Sequence, residues 1–267
     1  MKNVKKILVV AFAFLVTLTF TGCGKKVEKS NITPEEAFTK NKTASNEVTN
    51  YKMDMKLEMG MSYQGQKMDI NMSAVTTFDV KNKTAYMETS TNLLEGLGID
   101  ATTKSYIKYD DTTATTYTEN YGSWEKTVQN INANPNTISA MSNLVKTDNV
   151  KEIEADKDNY NYEVTITKDA FQNLVANSGD AADMLGSINN DIKVIISLDK
   201  ETYRTSKIKM NLLDILKNAN VQGVEYTKAT YEFKFYDYNK AGEVVIPDEA
   251  LNANDINDEL NEVDDEE

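Results

Sequence analysis

The chain has 267 residues, of which 40% are hydrophobic and 27% are charged, and its formal net charge is −13. That composition is typical of a globular protein, while the net negative charge argues against nucleic acid as a partner. Histidine is absent and Cys23 is the one cysteine, which excludes the commonest general base, the commonest metal ligand and any internal disulfide.

The first 23 residues have the pattern of a bacterial signal peptide. A basic stretch with three lysines precedes an uncharged and largely apolar run, Ile7–Phe20. Its fourteen residues would reach about 21 Å as a helix, short of the roughly 30 Å hydrocarbon core of a bilayer, which favours a signal peptide over a transmembrane helix. The closing Phe20-Thr21-Gly22-Cys23 resembles the lipobox of bacterial lipoproteins. That resemblance implies a diacylglyceryl group on Cys23, whose two acyl chains would hold the chain on the outer face of the cell membrane.

A helix and then a long β-hairpin are predicted next. Thr33-Pro34-Glu35-Glu36 combines a capping hydroxyl, a proline in the first turn and a capping-box glutamate. The helix has a thin apolar stripe, which predicts that it lies against a sheet: Ala37, Phe38, Ala44 and Val48. Alternating apolar residues then predict two long antiparallel strands around a turn at Gln64-Gly65: Tyr51, Met53, Met55, Leu57, Met59, Met61, Tyr63, Met68, Ile70, Met72, Ala74, Phe78 and Val80.

Shorter elements are predicted in the rest of the chain. The expected strands lie at Ala85–Met87 after a turn, and at Ser105–Tyr109, Thr113–Glu119, around Trp124, Tyr160–Ile166, Ile192–Leu198, Ile208–Leu212 and Tyr226–Tyr238. Helices are expected after Asn134-Pro135, through Ile138, Met141, Leu144 and Val145, and after the capping residue Thr167. From Asp248 to Glu267 there are ten carboxylates and no basic residue, a composition that predicts a disordered tail.

These elements predict an α+β fold. Long strands with one apolar face imply a strongly curved antiparallel sheet, an open half-barrel, and helices must cover its concave face because that face cannot stay wet. The expected division is a signal peptide at 1–22, a lipidated tether at 23–32, the half-barrel domain at 33–250 and the acidic tail at 251–267. We expect the protein to be a monomer.

The order of lipobox, tether, Thr-Pro-Glu-Glu-Ala helix and long Met/Tyr hairpin resembles the LolA/LppX-type half-barrel lipoproteins. It is also similar to a group of uncharacterised Gram-positive lipoproteins, as is the closing stretch Tyr236-Asp237-Tyr238-Asn239 followed by Val245-Ile246-Pro247-Asp248-Glu249-Ala250. The resemblance implies an open barrel of roughly eleven strands whose concave side, covered by helices, can hold lipid acyl chains. It brings no catalytic residues and no cofactor with it.

Two interpretations of the apolar hairpin face remain open. Methionine side chains are flexible and polarizable, so they suit a cavity for varied apolar ligands. The candidate cavity residues are Met53, Met55, Leu57, Met59, Met61, Met68, Ile70 and Met72. Alternatively, these residues form an ordinary core under the helices, and the protein is a cell-envelope interaction module that docks a protein or wall polymer through its surface.

The motifs that could indicate an enzyme or a metal site are weak. Ser123-Trp124-Glu125-Lys126 matches the Ser-x-x-Lys pattern of penicillin-binding enzymes, but its neighbours suggest a strand rather than the helix that this chemistry needs. The segment from Asp156 begins like a calcium loop but lacks the glycine and the glutamate that complete one, so we expect a surface turn there. Trp124 with Tyr117 and Tyr121 could form an aromatic patch for sugars or peptides. We expect no enzymatic activity and no bound metal.

Overall fold

A computed structural model describes residues 32–92, 102–120, 122–130, 145, 147–175, 190–218 and 223–255. The expected signal peptide, Cys23, the helix residues after Asn134-Pro135 other than Val145, and the tail beyond residue 255 lie outside the described residues. Among the described residues, no helix combines the length and apolar character that a bilayer-spanning helix needs.

The described residues contain eleven strands, four α-helices and one short 3-10 helix, Thr147–Asn149. The strands are β1 (Asn50–Tyr63), β2 (Gln66–Asp79), β3 (Thr84–Thr91), β4 (Thr103–Tyr109), β5 (Thr113–Asn120), β6 (Ser123–Asn130), β7 (Val150–Ile153), β8 (Asn159–Ile166), β9 (Ile192–Asp199), β10 (Thr205–Asn211) and β11 (Val224–Tyr236). The helices are α1 (Pro34–Asn46), α2 (Lys168–Val175), α3 (Leu213–Asn218) and α4 (Asp248–Leu251). Strand β7 and helices α3 and α4 were not predicted from the sequence.

All eleven strands form one antiparallel sheet in the order β6-β5-β4-β3-β2-β1-β11-β10-β9-β8-β7. Each half of the sheet is a meander, and the pairing of β1 with β11 joins the two halves at the centre. Among the described strands, β6 and β7 each pair with one neighbour only, so the sheet stays open. The predicted fold class, an open antiparallel half-barrel with few helices, is confirmed.

The long hairpin forms in the predicted register. Tyr63 pairs with Gln66, and the alternation continues without a shift to the pair of Asn50 and Asp79. Gln64 and Gly65 both have positive φ angles, +50° and +81°, which is the backbone that a two-residue hairpin turn requires. The turn therefore aligns the apolar residues of both strands on one face of the sheet.

Helix α1 covers part of that apolar face, which we call the inner face. Thr33 caps the helix as predicted, since its hydroxyl accepts a hydrogen bond from the Glu36 amide at 3.2 Å. Ala37 and Phe38 are buried, and the ring of Phe38 lies 5.2 Å from that of Tyr162 on β8. The helix thus packs against the sheet, with strands from both halves contributing to one core.

The chain remains structured beyond Pro247. Helix α4 buries Ala250 and contacts β5 and β6, and Lys126 on β6 donates its amide hydrogen to the Asn254 carbonyl at 3.0 Å. An ion pair of 3.8 Å joins Lys126 to Asp255. Asn254 and Asp255, which the sequence assigned to the tail, therefore lie beside the edge strand β6, where an isolated parallel bridge pairs Lys126 with Asp255.

Candidate ligand-binding face

The strand register brings all eight candidate cavity residues onto the inner face. Leu57 lies between Met72 on β2 and Tyr231 on β11, and directly opposite residues share a face in an antiparallel sheet. The rows next to it are formed in the same way: Thr76–Met53–Phe235, Ala74–Met55–Phe233, Ile70–Met59–Ala229 and Met68–Met61–Tyr226. The candidates therefore form one continuous apolar surface.

Burial divides this surface into two ends. At the packed end, which we define as Tyr51, Met53, Phe78 and Phe235 in the same buried cluster as α1, Tyr51 is fully buried and Met53 is 6% exposed. The other end carries most of the candidates, and we call it the methionine end: Met55, Leu57, Met59, Met61, Met68, Ile70 and Met72. There Ile70 is buried, Met68 is 46% exposed, and the remaining five side chains are half-buried. Met53 thus belongs to the core, whereas the methionine end is partly accessible.

Two aromatic residues of β11 extend the methionine end. The Tyr231 hydroxyl donates a hydrogen bond to the Met55 sulfur at 3.0 Å, and the ring of Phe233 lies edge-on to that of Tyr231 at 4.8 Å. Burial raises the pKa of the Tyr231 phenol, so this group stays neutral and donates. The sequence placed these rings on one side of the last strand but not beside the methionines, because the pairing of β1 with β11 leaves no local signal.

A β-bulge alters the sheet at the methionine end. Gly60 pairs with Lys228 and Met61 pairs with Tyr226, which leaves Thr227 on β11 unpaired. A Cβ atom at Gly60 would lie 2.6 Å from the Thr227 hydroxyl oxygen, so only glycine fits here without a shift. Bulges bend and twist the strand that carries them, and this one lies beside the half-buried methionines.

The opposite, outer face carries a row of aromatic rings. Tyr86, Tyr106 and Trp124 follow one another with centroid separations of 5.0 Å and 5.7 Å. Burial, together with the hydrogen bond that the Tyr86 hydroxyl donates to Glu88, raises the pKa of Tyr86 to about 12. The sequence grouped Trp124 with Tyr117 and Tyr121 instead. Tyr117 is buried on this face, in the strand that α4 contacts, and Tyr121 lies outside the described residues.

The residues of the weak enzyme and metal motifs lie in an ordinary strand and an ordinary turn. Ser123 and Lys126 lie on strand β6, three residues apart and therefore on opposite faces, so the hydroxyl and the amine are separated by the sheet. Asp156 accepts the amide hydrogens of Asp158 and Asn159 in the turn before β8, as expected for a surface turn. Among the described residues, no group of three or more acidic, cysteine or histidine side chains is placed to hold a metal ion.

Comparison with known proteins gives one family match. A model described as a family of unknown function, DUF6612, matches residues 33–255. The search of curated proteins gives no match.

Several solved structures are similar to this chain. The lipoprotein LppX of Mycobacterium tuberculosis has 10% sequence identity and a TM-score of 0.42, with 79% of this chain and 97% of LppX covered. A LolA superfamily protein of Nitrosomonas europaea has 8% identity and a TM-score of 0.27, with 81% and 96% covered. A putative outer membrane lipoprotein-sorting protein domain of Vibrio parahaemolyticus has 12% identity and a TM-score of 0.30, with 82% and 97% covered. These similarities concern the fold alone.

Proposed function

We propose that this chain, which belongs to the DUF6612 family, is a membrane-anchored lipoprotein that binds a lipid or another hydrophobic ligand at the methionine end without catalysing a reaction. One observation carries the proposal: seven apolar side chains lie in register there, and only Ile70 among them is buried. Large apolar surfaces that stay accessible usually mark binding sites, and methionine adapts its shape to the ligand. A plain core would bury this end as completely as the packed end.

A matched pair of variants on β2 tests the ligand site. Met72 is half-buried on the inner face, and Val75 is 48% exposed on the outer face three residues later. We expect Met72→Gln to weaken binding of a fluorescent phenylnaphthylamine probe by about threefold or more, because a polar amide must be desolvated when the probe binds. Val75→Gln should leave the affinity unchanged. Equal effects of the two substitutions, or no saturable binding to the unaltered protein, would reject the proposed site.

Purification from bacterial membranes provides a test that does not depend on a probe. If the methionine end holds lipid, native mass spectrometry of the protein should show a bound lipid that organic extraction releases. A lipid-free protein in repeated preparations would count against a lipid ligand.

The anchor is a separate part of the proposal and rests on the lipobox resemblance at Cys23. Lipidation at Cys23 would place the half-barrel on the outer face of the cell membrane, with residues 24–32 as the tether. Cys23→Ala should abolish incorporation of radiolabelled fatty acid and release the protein from the membrane fraction. Label that persists in the variant would contradict the assignment.

The outer aromatic row favours a second candidate function, docking of a wall polymer or envelope protein. Tyr86, Tyr106 and Trp124 are all half-buried and offer ring faces and edges for stacking. Under this alternative, Trp124→Ala would reduce co-sedimentation with purified cell wall, while Val75→Ala, exposed on the same face outside the row, would not. If neither substitution reduces co-sedimentation with cell wall, this alternative is rejected.

A further inference from the structure

A polar cleft lies away from the methionine end, where the turn between β9 and β10 meets the segment that follows β11. Its volume is about 340 Å³, and the residues that matter for its chemistry are Asp199, Glu201, Arg204, Asp237, Tyr238 and Lys240. None of its lining residues belongs to the methionine end. It is therefore a second concave feature with a different chemical character.

Arg204 in this cleft is the one arginine among 29 basic residues of the chain. Its guanidinium carbon lies 5.3 Å from the centre of the Tyr238 ring, a cation–π arrangement. Its Nε atom is buried and has no hydrogen-bond partner among the described residues. Buried donors are nearly always satisfied in proteins, so a water or a ligand oxygen is expected as the partner of this atom.

The ring beneath the guanidinium is fixed in place. The Tyr238 hydroxyl donates a hydrogen bond to the Thr205 carbonyl, and the ring stacks on that of Tyr51 at 5.9 Å. Burial raises the pKa of the Tyr238 phenol far above its usual value, so the ring remains neutral. A planar guanidinium held on a rigid ring presents its outer N–H groups in a fixed orientation, which a flexible lysine ammonium does not do.

Two of the three carboxylates that line the cleft have hydrogen-bond or ion-pair partners of their own. The Asp199 carboxylate accepts hydrogen bonds from the amide and hydroxyl of Thr202, at 2.8 Å and 2.7 Å. Asp237 forms an ion pair with Lys52 at 3.1 Å. Among the described residues, neither Arg204 nor Lys240 has a carboxylate within ion-pair distance. Two cations of the cleft therefore remain available, and Glu201, which is exposed, is the one lining carboxylate not engaged in this way.

We propose that this cleft binds the oxyanion group of a ligand, a phosphate or a carboxylate, through the Arg204 guanidinium with Lys240 as the second cation. A planar guanidinium matches two oxygens of either group at once, and the neighbouring ammonium adds attraction without a fixed direction. The site is independent of the apolar ligand proposed above, since the two share no residue.

The single arginine makes a direct test possible by nuclear magnetic resonance. In the ¹⁵N-labelled full chain, the arginine Nε–H signal belongs to Arg204 alone. We expect inorganic phosphate to shift this signal in a saturable manner, whereas sodium chloride at the same ionic strength should not. A linear drift that chloride reproduces would overturn the proposal, because it would show charge screening without a site.

Matched lysine variants locate the second cation. Lys240→Met should weaken phosphate binding at the Arg204 signal by about two- to fivefold, as expected for one partly screened charge pair. Lys217→Met removes an exposed lysine of α3 outside the cleft and should not change the binding. Equal effects of both substitutions would contradict the assigned role of Lys240.

Two further titrations distinguish the sources of the oxyanion. Saturation by a water-soluble short-chain phosphatidylglycerol at lower concentration than inorganic phosphate would support the site and identify a lipid headgroup. Saturation by acetate in preference to both would support the site and identify a carboxylate ligand. If phosphate, the phospholipid and acetate all leave the Arg204 signal unchanged, the proposal is wrong.

Discussion

The packed end and the methionine end of the inner face share one sheet, one alternation pattern and similar apolar residues, yet they differ in burial. Tyr51 is fully buried next to Phe78, whose ring lies 4.7 Å away. Six and eight residues further along the same strand, Leu57 and Met59 are half-buried. Strand alternation therefore determines which face a side chain occupies, while burial depends on what packs above it. We assign stability to the packed end and propose ligand binding at the methionine end.

The largest expected effect is a loss of stability at the packed end. Tyr51→Ala should lower the free energy of unfolding by about 3–5 kcal/mol, because it removes a large buried ring from a core that cannot collapse around the cavity. Tyr63 closes the same strand and is 47% exposed, so Tyr63→Ala should cost less than about 1 kcal/mol. Urea denaturation of both variants measures the difference. Similar losses would show that burial along β1 does not determine the contribution of a side chain to stability.

The sharpest comparison uses two methionines of β1. Met53→Ala should cost about 2–4 kcal/mol of stability, whereas Met59→Ala, on the same face but half-buried, should cost about 1 kcal/mol. The order should reverse for binding of the apolar probe, with Met59→Ala weakening it more than Met53→Ala. If Met59→Ala instead destabilises the protein as strongly as Met53→Ala and leaves binding intact, the methionine end is core.

The next largest expected effect is a loss of stability at the β-bulge beside the methionine end. Gly60→Ala should cost about 1–3 kcal/mol, since the new methyl group would lie against the Thr227 hydroxyl oxygen. Thr227→Ala removes that oxygen and should recover part of the loss in the double variant. A double-mutant cycle by urea denaturation measures the recovery. Additive losses would mean that the close contact is not the cause.

The smallest expected effect is a pH dependence in the turn between β4 and β5, far from either end. The Asp110 carboxylate accepts the amide hydrogens of Thr112 and Thr113 together with both hydroxyls, and these bonds lower its pKa well below the usual value. A depressed folded-state pKa contributes stability that is present above the unfolded pKa, about 3.9, and is lost as the pH falls through the folded value.

Asp110→Asn should therefore reduce stability slightly at neutral pH, and the difference from the unaltered protein should shrink in acid. Thermal unfolding at a series of pH values measures it. A difference that is constant down to the acid limit would exclude titration of Asp110 as the cause.

The sequence predicted the fold well wherever the pattern was local. The alternation from Tyr51 to Tyr63 and from Met68 to Val80, broken only at Thr76, predicted the hairpin, and Thr33-Pro34 predicted the start of α1. Periodicity carries such information because it reports which side of an element is apolar. Strand β7 was missed because it is only four residues long and only weakly apolar.

The sites were harder to predict because they depend on contacts between distant segments. Among the described residues, the ring next to Trp124 is that of Tyr106 on β4, which in turn lies next to Tyr86 on β3. The cleft at Arg204 is built from the β9–β10 turn and the residues after β11, and a lone arginine in a lysine-rich chain was the one signal that could have drawn attention to it. Cross-strand register decides these groupings, and composition does not encode it.

Photocrosslinking with a diazirine-bearing fatty acid, followed by peptide mapping, tests the central claim most directly. If the methionine end binds lipid, fragmentation of the labelled peptides should assign the label to Met59, Met61, Met68 and Met72 themselves, and excess unlabelled fatty acid should suppress it. Label spread over outer-face residues such as Val75 and Val128, or label that competitor leaves unchanged, would contradict a ligand site on the inner face.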